Sequence, residues 1–185
     1  MKKLTILFLL IIFSCSEKNN KIEEQPKRKI DLIFDEISKK HKNFETNPIA
    51  SDDLKQEFDK KIDSLDKLGI LDKYLNDENV NLKIWKIFKN PYGNGAIIQL
   101  YVDDLDDGNR FKYDIVGLMD KNKASKIEAM EGEPVFIQGK KMKRLNEAEA
   151  SILPVQQYYY NNKTEINRKD NIVIGNYIME IDSLF

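Results

Sequence analysis

Hydrophobic positions along this chain fall into three textures, and each predicts a different kind of structure. Residues 4–13 are apolar throughout except for Thr5, directly behind the basic start Met1-Lys2-Lys3. Residues 16–28 (SEKNNKIEEQPKR) hold almost no apolar side chain and predict a disordered tether, because such a segment cannot bury enough surface to offset its ordering entropy. From Ile30 onward apolar residues recur first at helical and then at strand spacing.

Ile30, Ile33, Phe34 and Ile37 follow the i, i+3, i+4, i+7 stripe of an amphipathic helix, with His41 and Phe44 near its end. Pro48 interrupts the pattern. A second helix is expected to open at Ser51-Asp52-Asp53, with Ser51 as N-cap and the acids at the positive end of the dipole. Its stripe is Leu54, Phe58, Ile62 and Leu65, and Gly69 marks its stop. A further helical turn is expected through Ile70, Leu71, Tyr74 and Leu75. Strands are predicted at Leu82–Phe88, Ala96–Val102 and Phe111–Met119, the first two joined by the turn Asn90-Pro91-Tyr92-Gly93-Asn94-Gly95. A short helix over Lys121–Met130, one long strand Pro134–Leu145, a polar loop over Asn146–Asp170 and a last strand Asn171–Ile181 complete the reading.

The apolar run at the N-terminus is too short to cross a bilayer, which takes about 20 residues, and with its basic start and the small Ser14 it has the form of a secretory signal. The tetrad Ile12-Phe13-Ser14-Cys15 resembles the lipobox of bacterial lipoproteins. The resemblance implies removal of residues 1–14 and acylation of Cys15, which holds the chain to a lipid bilayer without spanning it. Ser16 then follows the acylated residue, where many inner-membrane lipoproteins carry Asp, so the resemblance implies the outer membrane of a Gram-negative envelope. Cys15 is the only cysteine, so no disulfide can form within the chain.

The order of three strands, short helix, strand, long loop and strand is that of an OB-fold. Tyr113–Leu145 carries a sharper likeness: an apolar strand, a helix with Ala124, Ile127 and Met130, then a strand preceded by Gly132-Glu133 and interrupted by Gly139. This stretch, with the closing strand, resembles the tRNA-anticodon-binding-like family of bacterial envelope proteins over roughly residues 80–182. The expected architecture is α+β: an OB-like five-stranded antiparallel β-barrel over residues 79–185, preceded by two helices over residues 30–78, with residues 15–29 as lipidated cysteine and tether.

Chemistry narrows the function classes. Without Lys2 and Lys3, 28 basic side chains face 31 acidic ones, so the net charge does not draw the molecule to nucleic acid. Lys140, Lys141, Lys143 and Arg144 alternate faces of one strand, so they do not line one groove, although Trp85, Tyr101 and Tyr113 offer faces for stacking. The one histidine, His41, has no G-x-S-x-G serine to serve, and Ser64-Leu65-Asp66-Lys67 matches S-x-x-K without the companion motifs of that chemistry. No spaced Cys or His supplies a zinc shell, and no cofactor is expected. The acidic run Asp103–Asn109 places Leu105 where a calcium loop needs an oxygen ligand, and a charged hairpin turn accounts for it better. Asp63-Ser64-Leu65 and Asp182-Ser183-Leu184 each resemble the three-residue O-glycosylation site of Bacteroidota, and Ser183 is expected to be the more exposed of the two serines.

The expected role is therefore non-catalytic binding or assembly of an envelope protein or glycan. Its contact surface would comprise Tyr92 in the first hairpin turn and Tyr158, Tyr159 and Tyr160 in the long loop, since tyrosine gives apolar contact and a hydrogen bond together. The alternatives are a hydrolase working through carboxylates such as Asp104 and Asp114, or a spacer domain with no ligand.

Overall fold

The computed structural model describes residues 27–76, 82–102, 110–127, 132–146, 148–149, 153, 163–168 and 171–185. Helix α1 (Lys29–Lys40) buries the expected stripe of Ile30, Phe34 and Ile37. Helix α2 (Pro48–Lys67) buries Leu54, Phe58, Ile62 and Leu65. Its start corrects the sequence reading. Pro48 does not break a helix but begins one, and the cap is Asn47 instead of Ser51. The Asn47 side chain accepts from the N–H groups of Ile49 and Ala50 at 3.0 and 3.4 Å. Proline suits the first helical position because its missing N–H has no partner there in any case. Gly69 ends α2 at φ +65°, and the N–H groups of Gly69 and Ile70 bond back to Asp66 and Leu65, closing a Schellman motif. One turn of helix, α3 (Asp72–Leu75), follows.

The strands are β1 (Leu82–Lys89), β2 (Gly95–Val102), β3 (Phe111–Asp120), β4 (Pro134–Val135), β5 (Ile137–Arg144), β6 (Glu165–Arg168) and β7 (Asn171–Leu184). They form one curled, open sheet in the order β4-β1-β2-β3-β7-β5, with β6 also on β7. This is a mixed α+β fold, and the sheet is not a closed five-stranded antiparallel barrel: it has seven strands, and β3 runs parallel to β7. The expected long strand over Pro134–Leu145 is divided at Phe136. Its first part pairs with β1 and its second with β7, so one stretch of chain serves both ends of the sheet. A positive φ of +56° at Lys141 and the register shift between Lys140 and Lys143 bend the second part. The expected helix after β3 is described only as one turn, α4 (Lys121–Ala124); residues 128–130 lie outside the described residues. The last strand continues past Ile181 to Leu184, and β6 stands inside what the sequence showed as loop.

Helices and sheet share one core. Phe34, Phe58, Leu71 and Leu75 from the helices and Ile98, Leu100, Phe111, Tyr113, Ile115, Ile174 and Tyr177 from the strands belong to a single buried cluster. A four-phenyl knot holds α1 to the sheet: the Phe34 ring meets Phe44, Phe58 and Phe111 edge-on at 6.0, 5.6 and 5.7 Å, and Phe58 stacks on Phe111. A smaller cluster of Ile97, Val116 and Leu145 lies apart, with Leu153 packed against it.

Strand β3 gives the domain two poles. At its start, Arg110 reaches Asp31 and Asp35 of α1, so the chain enters the domain there. At its end stand α4, the β1–β2 turn (through the Gly95↔Asp120 pair) and the end of β7. Ten residues of strand separate these poles by about 30 Å.

Candidate functional site

Three aromatic side chains of the sheet stand exposed, one in the β1–β2 turn and two where the start of β5 meets the end of β7. Tyr92, Phe136 and Phe185 are 70, 61 and 68% exposed. Phe136 and Phe185 sit directly opposite each other and exchange backbone hydrogen bonds at 3.0 and 2.9 Å, so both rings stand on one face. Period-two alternation explains why they point outward: Val135 and Ile137 are buried on either side of Phe136, and Leu184 packs against the core beside Phe185. Next to this pair lies a depression of about 460 Å³ lined by Met119, Ile127, Leu184 and Phe185, with Lys123, Lys126, Asp182 and Ser183 as its polar members. Asp182 accepts from Lys140 at 3.4 Å and has Lys123 at 3.9 Å, so one carboxylate answers two ammonium groups. Lys126 has no ion pair among the described residues, which leaves the rim positive. This arrangement offers apolar contact edged with cations. It can hold and orient a ligand.

Two charged clasps fix the helices to the sheet. At the entry pole Arg110 binds Asp35 at 2.6 Å and stands over the Phe34 ring, and Arg28 binds Asp31 at 3.0 Å and stands over Phe111. On the β5 side Arg144 binds Asp59 at 2.9 Å and the Ile174 carbonyl at 3.2 Å, while the Asp66 carboxylate accepts from its backbone N–H. Burial opposes the Arg144 charge, but the Asp59 and Asp63 carboxylates more than restore it. Burial pushes the Tyr177 phenol up, well above its ordinary range. Asp59 also accepts from both the N–H and the hydroxyl of Thr164, which ties the start of β6 to α2.

Burial alone would raise the Asp35 carboxyl, yet Lys27 and Arg110 hold it below its ordinary value of 3.8. A depressed carboxylate stabilises the fold above the unfolded value and loses that contribution as pH falls through the folded one. Asp35→Asn should therefore lower the melting temperature at about pH 6, with the gap to the unsubstituted chain closing at a pH below the folded value of Asp35. Melts at the two pH values check this; a gap of equal size at both would remove the Arg110–Asp35 contact from the account.

A second groove, of about 310 Å³, runs between α1 and α2 and is lined by Ile33, Glu36, Lys40, Glu57 and Ser64, among others. His41 lies at its edge, with Nε2 2.9 Å from Glu57, which Lys40 also binds at 2.6 Å. The histidine thus ties the end of α1 to α2.

The structure disperses the residues singled out from sequence. Tyr92 is at the distal pole. Cys15, Tyr158, Tyr159, Tyr160, Asp104 and the rest of the acidic run lie outside the described residues. Asp114 is 2% exposed in β3, flanked across the strands by Tyr101 and Asn176. Among the described residues no group of three or more His, Cys, Asp and Glu could hold a metal ion. Tyr113 is buried in the core against Tyr177, its hydroxyl donating to the Leu75 carbonyl, and presents no face for stacking; Trp85 and Tyr101 meet edge-on at 5.8 Å. Lys140, Lys141, Lys143 and Arg144 each have a carboxylate partner: Asp182, Glu180, Glu149 and Asp59. Ser183 is half-buried within β7 and donates to Gln138 at 3.1 Å, whereas Ser64 is exposed on α2, so the expected order of exposure is reversed. Strand pairing to β5 is what covers Ser183.

Phe136, Phe185, Lys123 and Lys126 were missed. The run Val135-Phe136-Ile137 is apolar throughout, so nothing in the sequence marked which of the three faces outward. No helix among the described residues is long and apolar enough to cross a membrane. Comparison with family models, with curated proteins and with solved structures returns no match to the chain.

Proposed function

We propose that the chain is a lipid-anchored envelope protein that binds or assembles another envelope component, and that it does so at the pole farthest from its anchor. The observation that carries this reading is the polarity of the domain. The chain enters beside Arg110, while Tyr92, in the turn that pairs with the end of β3, is exposed about 30 Å away along that strand. Twelve residues separate Cys15 from Arg28, enough for about 40 Å of extended chain. A tether of that length lets the far end of the domain reach well beyond the lipid, toward whatever the envelope presents. Phe136 and Phe185 add a second exposed apolar feature, two adjoining rings on one face.

An OB-like ancestry is the second part of the proposal. It is supported by the continuity of β4 and β5, which are parted only by Phe136 yet pair with β1 and β7. Counted as one strand, with β6 as an addition, they leave five principal strands, the number of an OB-fold. Both glycines of the family likeness have local reasons. Gly132 sits at φ +85°, and a Cβ on Gly139 would meet the Glu180 carbonyl oxygen at 2.4 Å.

Photo-crosslinkers placed in intact cells at Tyr92 and at Lys42, near opposite poles, test the binding reading. Adducts are expected from the Tyr92 position in the Cys15 chain and are expected to fade in Cys15→Ala, which leaves the membrane fraction. Equal adducts from both positions, or no change on Cys15→Ala, would count against it.

A further inference from the structure

The end of β7 offers more than two exposed rings. Because Phe185 exchanges both of its backbone hydrogen bonds with Phe136, Leu184 must direct its N–H and C=O to the opposite edge of the strand. Asp182 shares that edge, and its carbonyl accepts from Lys123 Nζ at 2.8 Å. Strand β3 no longer covers it there: the β3–β7 ladder stops at Leu118↔Glu180. Among the described residues the edge of β7 past Glu180 has no strand beside it. The depression lined by Met119, Ile127 and Leu184 lies along this edge, with Lys123 and Lys126 on its rim.

We infer that this edge of β7 captures an extended segment of a partner protein in which apolar side chains alternate with carboxylates. Backbone groups of the segment pair with Leu184, one apolar side chain enters the depression, and neighbouring acids meet Lys123 and Lys126. Strand addition to an open edge takes its affinity from main-chain hydrogen bonds and its specificity from pockets for alternate side chains. Positive charge selects the acids, since Asp182 offsets only part of the charge of Lys123, Lys126 and Lys140. Backbone groups along a strand edge favour a peptide over the bilayer, since a peptide can pair with them. The inference rests on the binding reading above, but it can fail alone: crosslinks from Tyr92 would survive if the β7 edge were unused.

The probe is a fluorescent decapeptide alternating glutamate with leucine and valine, with a lysine-for-glutamate peptide as its counterpart. Binding to the full lipidated chain in detergent micelles is followed by anisotropy. The glutamate peptide is expected to bind, to weaken with salt, and to lose about tenfold or more in affinity on Phe185→Ser or on Leu184→Pro, which removes the edge N–H. Lys123→Glu with Lys126→Glu is expected to reverse the preference toward the lysine peptide. These two lysines are exposed, so this pair decides the matter even if the Leu184 variant folds poorly. Equal binding of both peptides, or an unchanged preference after charge reversal, would overturn the inference. So would a crosslinker at Phe185 that labels phosphatidylglycerol, a second copy of the chain, or residues 15–26 of the same chain.

Discussion

Phe34→Ala should cost about 3–5 kcal/mol, a large share of what holds a domain of this size together. Phe34 is fully buried and touches three other phenyl rings, so its removal leaves a cavity walled by Phe44, Phe58 and Phe111. It also removes the ring under the Arg110 guanidinium, 5.5 Å from its centroid, and so loosens the clasp that brings α1 onto β3. Differential scanning calorimetry should show a melting temperature lower by about 10–15 °C. A shift of a degree or two would mean that the helices are not part of the same core as the sheet.

Gly139→Ala is the second large effect, expected at about 3 kcal/mol. The added methyl would stand 2.4 Å from the Glu180 carbonyl oxygen, and backbone within a paired strand cannot retreat without breaking the β5–β7 ladder. Gly117→Ala gives the control. There the clash is with the side chain of Ile181, at Cδ1 and Cγ1, which must repack in the core but need not break a ladder. Denaturant midpoints should therefore fall further for Gly139→Ala than for Gly117→Ala. The reverse order would place the tight crossing of the sheet at β3 instead of β5.

These two sites also mark what could be read from the sequence. The stripe through Ile30, Phe34 and Ile37 was visible because helix α1 buries one face and a period of 3.6 records that directly. Strands β1, β2, β3 and β7 were visible for the corresponding reason, as apolar runs between turn residues. The division of Pro134–Leu145 at Phe136 was not. It depends on which strand lies beside each half, and partner choice is a long-range property that leaves no period behind. Asn47 was passed over because Pro48 read as a break, when a proline preceded by Asn is equally a helix start. Strand β6 reads Glu-Ile-Asn-Arg, with one apolar side chain in four, and only its place against β7 makes it a strand.

The distal pole was half legible. Tyr92 stood out because the turn Asn90–Gly95 that carries it had to project. Phe136 and Phe185 did not, because an isolated phenylalanine in a chain reads as core until its strand neighbours are known to point inward. Their exposure follows from Val135, Ile137 and Leu184 taking the inner face. Lys123 and Lys126 gained meaning only when α4 brought them to the edge where β3 ends.

The proposed attachment through Cys15 is what gives the two poles their sense, since the chain would be held from the end of β3 at which it enters the domain. The most direct measurement is intact-mass spectrometry of the chain extracted from membranes of its own cells. It should find a protein that begins at Cys15, lacks residues 1–14 and carries the added mass of acyl chains on that residue. A protein that still begins at Met1, or that carries a bare thiol at Cys15, would contradict the account.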